Sequence, residues 1–156
     1  MIIENIKNSM KLVKEHINEG IIMVQKSAGI VIIWDNKILL CHPTNGSWNN
    51  SYSFPKGHLE KNETPLEAAI RETKEEIGVK IDPKDLQKEK HTIEYKDKQG
   101  RTYKKVYYYL YYPKHEIIIN KSDLQIEEID WAGFLTKPEA EKKIFWKLKE
   151  VLKYIK

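Results

Sequence analysis

Gly57-His58-Leu59-Glu60-Lys61-Asn62-Glu63, followed after a short interval by Arg71-Glu72-Thr73-Lys74-Glu75-Glu76-Ile77-Gly78-Val79, decides how the chain is read. Between the two halves, Thr64 is suited to cap a helix, Pro65 to its first position, and Glu67 completes a capping box three residues after the cap. Leu66, Ala69, Ile70, Thr73 and Ile77 fall on one face of that helix, and Gly78 can take the left-handed conformation that ends it. Glu72, Glu75 and Glu76 then stand at offsets of three and four, projecting from neighbouring positions. Carboxylates so close repel one another unless cations neutralise them, and hard oxygen clusters suit Mg²⁺ or Mn²⁺. Arg71 can pair with Glu67 or Glu75 one turn away, or brace the preceding loop. A Glu/Lys/Arg-rich helix surface has the same composition, so it is the complete spacing that carries information.

Outward from this stretch, the chain alternates strand and helix patterns. Ile3, Ile6, Met10, Val13 and Ile17 recur at helical steps before Gly20, which predicts an amphipathic helix within residues 1–20. Its apolar stripe would dock on the rest of the chain or on a second subunit, so a monomer or a homodimer is expected. Ile30-Val31-Ile32-Ile33-Trp34 and Ile38-Leu39-Leu40 read as strands joined by a tight turn at Asp35-Asn36-Lys37. A loop from Pro43 to Ser47 follows, then a short extended piece from Trp48 to Phe54. Ile93 to Tyr95 and Thr102 to Tyr112 read as two more strands, the second apolar enough to be buried on both faces. Ile117 to Ile119 and Ile129 to Phe134 add short extended pieces. Thr136 and Glu139 form a second capping box, opening a terminal helix whose apolar face holds Ala140, Ile144, Leu148, Val151 or Leu152, and Ile155. The economical sum is one α/β domain over residues 21–156, a mixed sheet with helices outside.

Bulk properties narrow the chemistry. At 156 residues the chain suits a single domain with a substantial core. The net charge of +4 is compatible with phosphate-bearing ligands and equally with a solvated lysine surface. Cys41 is the only cysteine, which excludes an intramolecular disulfide and a thiolate metal cluster; next to His42 on a strand it is a packing residue, because strand neighbours point to opposite faces. No secretory leader pattern and no run of about twenty apolar residues is found, so a cytoplasmic protein without a membrane partner is expected.

With its spacing taken whole, the stretch resembles the Nudix box, Gly-x5-Glu-x7-Arg-Glu-U-x-Glu-Glu-x-Gly-U, where U is a bulky aliphatic residue. Gly57, Glu63, Arg71, Glu72, Glu75, Glu76, Gly78 and Val79 match, and Thr73 stands at the first U position as a β-branched residue of valine-like size. The resemblance implies the family's α/β/α sandwich, extended here by the N-terminal helix, and a metal-dependent hydrolase of pyrophosphate bonds. By position, Glu75 and Glu76 would be the principal ligands of Mg²⁺ or Mn²⁺. Glu72 would be a further ligand or the base that helps activate water, and Gly57 would offer its carbonyl. Glu63, Arg71 and Gly78 would hold the box in shape.

Substrate contacts are read from the approach to the box. Pro55-Lys56-Gly57-His58 resembles dinucleoside polyphosphate hydrolases and diphosphoinositol polyphosphate phosphohydrolases. Lys56 would then meet a phosphate and His58 a phosphate or a base, while Trp48 and Tyr52 are candidates for base stacking. Either set is also compatible with ordinary loop or core residues. Many family members carry a further glutamate about six residues before a tryptophan; here Gln125 holds that place, with Glu127 and Glu128 near it and Trp131 following. A dinucleoside polyphosphate such as Ap4A is the expected nucleotide substrate, with an RNA 5′ end or a nucleoside triphosphate as alternatives. A nucleotide sensor without activity is the reading from another class, and such modules typically lose box carboxylates that this chain retains.

Overall fold

The computed structural model describes residues 23–46 and 50–156. The helix expected within residues 1–20, and Trp48, lie outside the described residues. Strands β1 (Gln25–Trp34) and β2 (Lys37–Pro43) form the expected hairpin. Its turn has two residues, not three: Trp34 already pairs with Lys37. Asp35 and Asn36 carry it at φ 50° and 58°, a left-handed pair that asparagine and aspartate tolerate better than other side-chain-bearing residues.

The remaining strands are β3 (Lys56–His58), β4 (Leu86–Lys96), β5 (Thr102–Tyr111) and β6 (Ile129–Thr136). They assemble in the order β4-β5-β1-β2-β6, with β3 alongside the first part of β1. Strands β1 and β5 run parallel from Gln25↔Lys104 to Ile32↔Tyr111, and the other pairings are antiparallel, so the sheet is mixed. Helix α1 (Pro65–Ile77) covers one face, and α2 (Lys137–Lys143) with α3 (Lys149–Leu152) lies on the other. This is the expected α/β/α sandwich.

Strand periodicity explains both cores. Along β5, Tyr107, Tyr109 and Tyr111 pack into the α1-side core, while Val106, Tyr108 and Leu110 pack against the C-terminal segment. The tyrosine run is therefore core on both faces, as its continuous apolarity suggested.

Three further expectations needed correction. Strand β4 begins at Leu86 rather than Ile93, because Gln87 to Lys90 lie exposed on an edge strand and carry no apolar signal. Ile117 and Ile119 do not form a strand; both pack, partly buried, against the α1-side core. The terminal helix is broken after Lys143, where Ile144 turns extended at ψ 145°. There the backbone of Tyr52 intervenes: its N–H donates to the Lys143 carbonyl (2.9 Å) and its carbonyl accepts from Phe145 N–H (2.8 Å). A 3-10 turn at Trp146–Leu148 then leads into α3. Ala140, Ile144, Leu148, Val151 and Leu152 are nevertheless all buried, so the helical spacing identified the buried face and missed the break. No described helix is long and apolar enough to cross a membrane.

One close approach positions the site. Gly29 of β1 pairs with Lys56 of β3, and a Cβ at Gly29 would stand 2.3 Å from the Pro55 carbonyl oxygen and 3.1 Å from the Tyr108 ring. Only glycine lets the segment entering the box lie on the sheet. Gly29→Ala is expected to cost about 1–3 kcal/mol through forced displacement of β3. Urea unfolding checks this, and an unchanged midpoint would mean that the contact yields at no cost.

Candidate active site

Helix α1 begins as its sequence dictates. The Thr64 hydroxyl accepts from Glu67 N–H (3.2 Å), and the Glu67 carboxylate accepts from Thr64 N–H (3.3 Å). Gly78 ends the helix at φ 73°, its N–H donating to the Lys74 carbonyl. Glu67 is thus engaged at the cap, and it is absent from the partners of Arg71.

Arg71 instead joins loop to helix. Its Nε and one terminal nitrogen donate to the two oxygens of Glu63, at 2.7 and 2.9 Å, a bidentate fork. The same terminal nitrogen donates to the His58 carbonyl at 2.9 Å. The other nitrogen reaches Glu72 at 2.9 Å and Glu75 at 3.1 Å. Glu63 also accepts from Glu60 N–H at 2.9 Å, closing the loop on itself. Of the alternatives open in sequence, pairing with Glu75 and bracing the preceding loop are both realised, through one guanidinium.

The three helical glutamates separate by one turn. Glu72 and Glu76 turn into a cavity of about 430 Å³, whereas Glu75, nearly half exposed, lies against Arg71 outside the cavity wall. Gly57 lets the loop close on Glu72: a Cβ there would fall 2.0 Å from the Glu72 carboxyl carbon. Glu76 is 5% exposed, and the backbone N–H of Lys56 donates to its carboxylate at 3.3 Å.

Electrostatics mark the cavity as short of positive charge. Burial pushes the carboxyl groups of Glu76 and Glu72 up; Lys56 opposes this at Glu76 and Arg71 at Glu72, while Glu128 adds to it at both. Burial and the neighbouring Lys104 push the Lys56 ammonium down, against the pull of Glu76, Glu128 and Glu72. Glu127 and Glu128 also line the cavity. Among the described residues, no three His, Cys, Asp or Glu side chains converge as a ready-made metal cage. The carboxylates that line it, Glu72, Glu76, Glu127 and Glu128, outnumber the nearby cations Lys56 and Lys104, a set that fits Mg²⁺ or Mn²⁺; the Cys41 thiol also lines the wall, and burial pushes its pKa up, which keeps it protonated.

Of the other candidates, Lys56 and His58 line the cavity, and the His58 imidazole lies 3.2 Å from the Ser27 hydroxyl. Tyr52 is not among the lining residues; its ring packs against His42 (4.9 Å between centroids) and Trp131 (5.6 Å). Gln125 does not line the cavity; its backbone N–H ties the loop to the end of α1 through the Glu76 carbonyl (2.9 Å), and the two glutamates beyond it reach the wall. Lys104 was not singled out from sequence. It stands on β5 opposite Tyr95 and beside Gln25, pairings that the sequence does not announce.

The Glu63–Arg71 fork carries a pH signature. Hydrogen bonding to Arg71 holds the Glu63 carboxyl below its ordinary 4.5. A lowered folded-state value stabilises the protein above that ordinary range, and the contribution is lost as the pH falls through the folded value. Glu63→Gln is therefore expected to be about 1–3 kcal/mol less stable than the parent at pH 7. The gap should close on acidification below about pH 4. Urea titrations across that range check it, and a gap independent of pH would remove the ion pair as the source.

Similarity to known proteins agrees with this geometry. The NUDIX domain model matches residues 23–154. The m7GpppN-mRNA hydrolase of Saccharomyces cerevisiae is 35% identical over 101 residues, which are 64% of this chain; the chain spans only about 10% of that protein's length. An RNA pyrophosphohydrolase of Hydrogenovibrio crunogenus is 33% identical over 69 residues, 44% of this chain and 34% of that protein. Among solved structures, a C. elegans Ap4A hydrolase binary complex superposes with a TM-score of 0.64 at 25% identity, covering 85% of this chain and 98% of that one. With the box folded around Arg71 and the domain match running almost the whole described length, the chain belongs to the Nudix family.

Proposed function

We propose that this protein is a divalent-metal-dependent hydrolase that cleaves a pyrophosphate bond in a nucleoside diphosphate-linked substrate, a dinucleoside polyphosphate such as Ap4A foremost. The observation that carries the reading is the pair of box carboxylates, Glu76 buried and Glu72 partly buried, turned into a cavity that Lys56 and His58 also line. The cavity volume suits a nucleotide-sized ligand. Likeness to the C. elegans Ap4A hydrolase structure over nearly all of that chain favours the dinucleotide.

Nudix enzymes generally need divalent metal ions. In this chain Glu72, Glu75 and Glu76, with the Gly57 carbonyl, are the proposed ligands of Mg²⁺ or Mn²⁺. When bound, such a cation neutralises phosphate charge and lowers the pKa of coordinated water. Lys56 and His58 orient the polyphosphate. Glu72 is either a further ligand or the base that takes up the proton of the attacking water, and Glu128, on the cavity wall beyond the box, is the other candidate for that proton in place of the side chain of Gln125. Arg71, Glu63 and Gly78 keep the loop and helix in register so that positioning and electrostatics do the chemistry. Residues 21–156 are the proposed catalytic domain.

A second reading, hydrolysis at an RNA 5′ end, is favoured by the yeast and bacterial relatives that act on RNA. A hydrolysis screen in Mg²⁺ or Mn²⁺ over Ap4A, nucleoside triphosphates and 5′-triphosphate RNA separates the two. Ap4A is expected to give ATP and AMP, EDTA to abolish turnover, and Glu76→Gln to lower it about a hundredfold or more with the fold retained. Metal-dependent preference for RNA would promote the second reading. Tight binding of a nucleotide with no turnover in either metal would contradict hydrolysis and make the protein a sensor.

A further inference from the structure

Outward from the cavity wall, the side of the sheet facing the C-terminal segment carries a chain of cations and aromatic rings. Lys104 lines the cavity, and its ammonium stands 5.4 Å from the centre of the Tyr95 ring. The ammonium of Lys147, from the 3-10 turn after α2, stands 5.2 Å from the same ring and 5.5 Å from the ring of Trp146. Trp146 is 68% exposed, and Tyr103, at 46%, lies 6.4 Å from Tyr95. Strands β4 and β5 and the C-terminal turn thus each add a member, and the series starts at the cavity.

Two features distinguish this strip from an ordinary solvated lysine face. Among the described residues, neither Lys104 nor Lys147 lies within ion-pair distance of a carboxylate, although Lys105 on the same strand pairs with Glu94. Each instead stands over a ring face, an attraction of roughly 0.5–1 kcal/mol at exposed sites that a phosphate readily outcompetes. Second, Trp146 is left mostly in water, a large apolar exposure whose ring meets only Phe145 (5.8 Å between centroids) and the Lys147 ammonium among the contacts described. Cations for the backbone interleaved with rings for the bases are what an unpaired nucleic acid strand needs, and neither element reads sequence.

We propose that the strip Lys104–Tyr95–Lys147–Trp146 is a track for single-stranded RNA, which leads the strand's 5′ end into the cavity. On engagement the ammonium groups move from ring to phosphate, which uncovers Tyr95 and Trp146 for stacking. The direction of the track, 5′ end inward, rests on the pyrophosphate-hydrolase reading of the cavity; the binding itself does not.

The test measures binding of a 3′-fluorescein-labelled oligouridylate of about twelve nucleotides to the full chain in EDTA, by anisotropy, so that no turnover intervenes. The parent is expected to bind, and the Trp146→Ala, Lys147→Ala double variant to bind about tenfold or more weakly, in line with the loss of one stacking platform and one phosphate contact. Lys147→Glu alone should weaken binding at least as much as Lys147→Ala. Lys121→Ala, which removes one exposed positive charge on the 3-10 turn Lys121–Asp123, should change it less than twofold. Circular dichroism confirms that each variant folds. A parent that does not bind the oligonucleotide, or a double variant that binds as well as the parent, overturns the proposal. Absence of hydrolysis of every substrate would sink the catalytic reading while leaving this binding result intact, so the two fail separately.

Discussion

The site depends on one guanidinium. Arg71 donates to both oxygens of Glu63, to the His58 carbonyl and to Glu72 and Glu75, so one side chain ties the loop before α1 to the helix itself. The planar five-donor fork of arginine supplies this set, and a lysine point charge cannot. Without it, three carboxylates within one helical turn and a fourth in the loop would repel one another into solvent. The guanidinium holds Glu63 and Glu75 and leaves Glu72 only partly satisfied, which keeps unneutralised charge at the cavity.

From that constraint the chemistry follows by subtraction. Glu76 is buried and accepts a hydrogen bond from the Lys56 backbone N–H, and Glu72 and Glu128 add negative charge around it. Burying carboxylates without adequate partners costs several kcal/mol each in real proteins, a cost that stability alone does not repay. Under the proposed function, a divalent cation held by Glu72 and Glu76 would offset it. The tight backbone packing at Gly29 and Gly57 serves the same end, since both glycines let the loop lie where a Cβ would exclude it.

Much of this was legible in the residues. Box spacing, both capping boxes, the hairpin and the two-faced burial of β5 follow from local rules of period and cap. Glu72, Glu75 and Glu76 read as one cluster because offsets of three and four share a side. The structure divides them, since the α1 surface curves from the cavity to the Arg71 side within that turn. The break at Ile144 was not legible, because Tyr52, more than ninety positions earlier, supplies the competing hydrogen bonds. Lys104 and the aromatic strip were hidden for the same reason: strand neighbours β4 and β5 and the C-terminal turn meet only in the fold.

The most direct test of the central claim is equilibrium binding of Mn²⁺ followed by electron paramagnetic resonance, which sees the ion and not the turnover. Saturable Mn²⁺ binding is predicted for the parent, with loss of most of it when Glu72 and Glu76 are both replaced by glutamine and helical content is unchanged. Equal Mn²⁺ affinity in parent and double variant would contradict the account, because the ion would then sit elsewhere and the buried carboxylates would lack the partner argued for them.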